Sequence, residues 1–133
     1  MKDWCSLRGA FRLPSLDVIR YVLIGDPSTT GFSDGSPCIP LYSRKTANEN
    51  VGADSIVVAY AEQIANTVTD GLQNSWYSDV SGQEAGSACE GDFDGIDLSD
   101  PQAKNFNLQL GTVQFLVQNI WQPGKGCTSS ILP

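Results

Sequence analysis

Residues 54–70 read DSIVVAYAEQIANTVTD, and the fold class turns on them. Val57, Tyr60, Ala61, Ile64, Ala65 and Val68 recur at intervals of three and four, which places them on one stripe of an α-helix. Asp54 or Ser55 can cap the first turn. Asp70-Gly71 supplies the stop, because glycine takes the left-handed backbone after a last turn without strain. Glu62, Gln63 and Asn66 face away from the apolar stripe. The expectation is an amphipathic helix with its stripe on the core and these three polar residues toward solvent.

On the N-terminal side, residues 18–24 (VIRYVLI) are β-branched and aromatic and end at Gly25-Asp26-Pro27, the pattern of a strand followed by a turn. Residues 25–40, rich in Gly, Ser, Thr, Asp and Pro, read as a long loop tethered by Cys38. On the C-terminal side, residues 105–121 alternate in places (Phe106, Leu108, Leu110, then Val113, Phe115, Val117) around Gly111-Thr112. That predicts two hairpin strands, with Ile120 and Trp121 closing the second, before Gln122-Pro123-Gly124-Lys125-Gly126-Cys127 ends the domain in a turn. Together these elements predict an α+β fold over one domain, residues 1–133. It has a small antiparallel sheet, one central helix at about 54–70 and a C-terminal β-hairpin, stapled by disulfides.

Composition narrows function mainly by exclusion. With 41% hydrophobic and 17% charged residues, 133 residues can bury a core as one domain. The net charge of −7 argues against a nucleic-acid or anionic-membrane surface. Residues 1–66 carry seven acids and six bases, while residues 67–133 carry eight acids against only Lys104 and Lys125. The chain has no histidine, which removes histidine general bases, His-containing triads and histidine metal ligands. No G-x-S-x-G, Walker or dinucleotide glycine pattern occurs, and no stretch approaches the ~20 apolar residues of a membrane span. No apolar secretory region follows Met1, so the disulfide pattern suggests that the chain is part of a longer primary product.

Cys5, Cys38, Cys89 and Cys127 are widely spaced and form no C-x-x-C pair. They fit two structural disulfides in an oxidising compartment, with three possible connectivities, against the alternative of four buried thiols. Glu90, Asp92, Asp94 and Gly95 match the opening spacing of an EF-type calcium loop, but Asp97 and Pro101 break its later positions, so calcium is a candidate cofactor only on the first three ligands. Glu62, Glu84 and Glu90 are the acids outside the Asp cluster that a two-carboxylate glycosidase would need, and nothing in the sequence brings any two together. Asn74, Trp76 and Tyr77 can form an aromatic platform for a sugar ring, although aromatic side chains more often belong to a core.

Several stretches, taken in order, carry a resemblance: Tyr21-Val22-Leu23-Ile24-Gly25, Asn50-Val51-Gly52-Ala53-Asp54, Ile64-Ala65-Asn66-Thr67-Val68-Thr69-Asp70 and Asn74-Ser75-Trp76-Tyr77. Glu84-Ala85-Gly86-Ser87-Ala88-Cys89, then Phe115-Leu116-Val117, Trp121-Gln122-Pro123 and Cys127, complete the set. The chain resembles the C-terminal half of the EXORDIUM or phosphate-induced protein family, best known from plants. The resemblance implies secretion to the cell wall or apoplast, a role in growth and nutrient response, no defined biochemical activity, and pairing of Cys5 with Cys38 and Cys89 with Cys127. Partners implied are wall polysaccharide or another extracellular chain, the family's N-terminal half among them.

Some relatives carry an H-E-x-x-E-like run on the helix, and this chain has Glu62, Gln63 and Asn66 at those positions. Neutral amides are poor zinc ligands, so a metallohydrolase ancestry would leave an inactive copy here. The sequence thus favours a non-enzymatic, extracellular, disulfide-bonded binding protein. The alternatives are a structural subunit of an extracellular filament or coat, and a degenerate zincin-like hydrolase.

Overall fold

Two strands open the chain. β1 (Ser6–Arg12) and β2 (Val18–Ile24) pair antiparallel in continuous register, from Ser6 opposite Ile24 to Arg12 opposite Val18. β2 has the bounds its β-branched run predicts. β1 is carried by its partner: its sequence, SLRGAFR, has no β-branched residue, and the ring of Tyr21 stands across the strand against Gly9. The computed structural model describes residues 5–15, 17–29, 46–69, 76–96, 100 and 105–128 of the chain. A short 3-10 turn, Pro27–Thr29, follows β2, and Cys38 with most of the predicted 25–40 loop lies outside the described residues.

The single long helix among the described residues is α1 (Val51–Thr69). It begins three residues before the expected start, because the cap is Asn50, whose Oδ1 accepts the Ala53 N–H at 3.0 Å. Asp54 is instead buried, where it accepts the Asn48 N–H at 2.9 Å and Asn48 Nδ2 at 2.6 Å. The predicted stop at Asp70-Gly71 lies outside the described residues.

The face of α1 that packs inward meets the expected apolar stripe only in part: Ala65 is buried and Val57 and Ala61 are half-buried. Its buried residues are Gly52, Asp54, Ser55, Val58, Ala59, Gln63, Ala65 and Asn66. Tyr60 is 54% exposed and Val68 75%, and Ile64 is also exposed. Close approach of backbone explains the shift of the buried face. Gly86 lies so near α1 that a Cβ on it would stand 2.6 Å from the Glu62 carbonyl oxygen, and such contact leaves room only for small or hydrogen-bonding side chains.

The expected single sheet is three two-stranded antiparallel sheets among the described residues. β3 (Leu108–Leu110) and β4 (Val113–Phe115) turn at Gly111, whose φ of 62° suits glycine. Ile120 and Trp121 do not close that hairpin. They belong to β5 (Ile120–Gln122), which pairs with β6 (Gly126–Thr128), so the expected terminal turn is a second hairpin. The architecture is still α+β. Between the helix and these hairpins, Val58, Phe93 and Leu116 form the buried core, with Ile96 packed against it. Cys89, in a 3-10 turn (Ser87–Cys89), is bonded to Cys127 of β6 with a Cα–Cα distance of 5.7 Å. Cys5 is also disulfide-bonded, and its expected partner, Cys38, falls outside the described residues.

Candidate functional site

Because α1 turns Ile64 and Val68 outward, a groove runs along it. One wall is α1 from Ala61 to Thr69, the other is Val117, Gln118, Ile120 and Gln122, and Trp76 closes it. Its volume is about 520 Å³, within the range of sites that hold small ligands or several side chains. The lining is mostly aliphatic, and among the described residues Glu62 is its one ionisable side chain.

Behind that lining lies a hydrogen-bonded network. Ser87 Oγ donates to Glu62 Oε1 at 2.8 Å, and Asn66 Nδ2 donates to Ser87 Oγ at 3.0 Å. Asn66, only 1% exposed, also accepts the Gly86 N–H at 2.7 Å, and Gln118 Nε2 donates to the Gly86 carbonyl at 2.7 Å. Arg8 reaches over from β1 to the Asn66 carbonyl at 3.3 Å and ion-pairs with Glu84. Burial pushes the Glu62 carboxyl above the ordinary carboxylate range, and the negative charge of Glu90 adds to this. The Ser87 hydrogen bond and the Arg8 charge pull the other way.

The structure thus draws Glu62, Glu84 and Glu90 into one neighbourhood, with Arg8 among them, which spacing along the chain does not reveal. Gln63 and Asn66, expected at the solvent face, are buried, and Glu62 is half-buried. The burial of Asn66 has a clear cause: its amide fixes the 84–90 segment against α1 by two hydrogen bonds. Trp76 is 50% exposed and Tyr77 nearly as much, so both face outward rather than into a core. Asn74 lies outside the described residues, as does Trp4, while Trp121 is half-buried in β5. Glu90, Asp92 and Asp94 are all exposed on turns, with the Asp92 N–H donating to the Cys89 carbonyl at 3.0 Å. Among the described residues no three His, Cys, Asp or Glu side chains come together to suit a metal ion. Gln118 and Arg8 carry no local signal that marks them for the site, since their roles depend on contacts with distant segments.

A family profile described as "Phosphate-induced protein 1 conserved region" matches residues 5–130. The chain belongs to this family. In phosphate-induced protein 1 terms the match takes in both α1 and the Cys89–Cys127 pair. The protein named EXORDIUM-like 5 from Arabidopsis thaliana is 32% identical over 94 residues, covering 61% of this chain and 26% of that relative. The chain therefore spans about a quarter of the length of the curated relative it matches. No solved structure matches it. No helix among the described residues is long and apolar enough to cross a membrane.

Proposed function

We propose that this phosphate-induced protein 1 family member is an extracellular, non-enzymatic binding protein. It engages a cell-wall polymer or a partner protein in a growth or nutrient response. The observation that carries the reading is the groove itself: a half-exposed tryptophan and an outward aliphatic helix face enclose a cavity of about 520 Å³. Exposed apolar surface of this kind, rimmed by polar groups, marks interaction sites. Family membership supports the growth or phosphate-response context, and the disulfide supports the oxidising compartment.

The test is sedimentation of the purified chain with insoluble wall polysaccharide and, separately, its retention by immobilised fractions of extracellular protein. Trp76→Ala and Val68→Ser should lose retention while keeping the native unfolding midpoint. Retention unchanged in both variants would exclude the groove as the binding surface.

A second reading, a structural subunit of an extracellular coat, draws on the exposed Phe11, Ile19, Tyr21 and Leu23 of the β1–β2 ribbon. It predicts concentration-dependent assembly.

A further inference from the structure

We infer that the groove takes an apolar segment of a partner protein bearing one lysine or arginine, whose charge meets Glu62. This rests on the groove being a binding surface and goes further by fixing the chemistry of its occupant. Ile64, Val68, Val117 and Ile120 present an aliphatic surface that fits leucine-like side chains. A sugar needs hydroxyl partners along its length, and the groove offers few polar groups.

The electrostatics set the sign of the one charge. Glu62 Oε1 is taken by Ser87, and among the described residues no hydrogen bond reaches Oε2. Among the described residues the neighbourhood holds three carboxylates, Glu62, Glu84 and Glu90, against the guanidinium of Arg8, leaving two net negative charges when all are ionised. The whole chain carries −7. An acidic or neutral segment would leave the half-buried Glu62 charge unpaired as it covered the groove. A cation restores the interaction that water had supplied.

The experiment uses the full chain and three synthetic amphipathic peptides with the same leucine face. They differ only in a central lysine, glutamine or glutamate. Calorimetry with amide chemical shifts should rank them lysine, glutamine, glutamate, with lysine about fivefold to tenfold tighter than glutamine, the size expected of a partly desolvated ion pair. Glu62→Gln should abolish the lysine preference and tighten the glutamine peptide, which then covers no unpaired charge, whereas Ala61→Trp, which fills the groove, should weaken all three.

Equal affinities for the lysine and glutamine peptides, or a preference that survives Glu62→Gln, would overturn the inference and leave the groove standing as a docking surface. Peptides that fail to bind while a soluble cello-oligosaccharide shifts the groove amides would overturn it in favour of a glycan. Silence from every probe would remove the groove itself.

Discussion

Asn66 shows how much one buried amide carries. It holds the buried Gly86 N–H and the half-buried Ser87 hydroxyl from within α1, so truncation strands the Gly86 N–H and takes one partner from Ser87. Asn66→Ala is expected to cost about 3 kcal/mol in urea unfolding, where each stranded group costs roughly 1–3 kcal/mol. Glu62 behaves oppositely. Its folded-state carboxyl holds a proton more readily than in the unfolded chain, so this contribution to stability is full at acid pH and is lost as pH rises through the raised folded value. Glu62→Gln keeps an oxygen for Ser87 and removes the charge. Its unfolding midpoint should exceed the wild type at neutral pH, the two converging as pH falls, and a constant difference across pH would contradict this. Glu62 and Asn66 are visible in the sequence as helix positions. What spacing cannot show is the segment that lands on them, because that contact joins residues 20 or more apart along the chain.

At the scale of elements, the bounds of β2 and the existence of α1 follow from local residues, because a β-branched run and a three-four periodicity are local properties. Which face of α1 is buried is not local. Periodicity says which residues share a face, while the neighbour decides which face it covers, and here a glycine-bearing loop came close enough to select the small face. Gly86→Ala should therefore cost roughly 2 kcal/mol or more, because the added methyl meets the Glu62 carbonyl rather than a movable side chain. Val68→Ser, on the outward face, should stay within about 0.5 kcal/mol of the wild type. The Cys89–Cys127 bond closes a sequence separation of 38, and replacing both cysteines with serine should cost about 3–4 kcal/mol on the chain-entropy estimate. Chemical denaturation of the double variant measures it directly.

For the whole molecule, the unevenly covered apolar surface is the governing property. Leu7, Phe11, Ile19, Tyr21 and Leu23 share one face of the β1–β2 ribbon, and all but Leu7 are exposed. Sedimentation velocity should show self-association that Ile19→Lys with Leu23→Lys suppresses, if this face drives assembly. A monomer at high concentration, with or without the lysines, would set the coat-subunit reading aside. The other face of the same ribbon turns toward α1, and there Arg8 meets the Asn66 carbonyl 58 residues away and Glu84 76 residues away. That clamp has a kinetic meaning. The β1–β2 hairpin and α1 each form from contacts close in sequence, which is fast, but the guanidinium can reach the Asn66 carbonyl and Glu84 only after long loops have closed. Folding would then run as two quick local steps and one slow joining step. Because the joining contact is ionic, added salt should slow that step while leaving the early ones untouched.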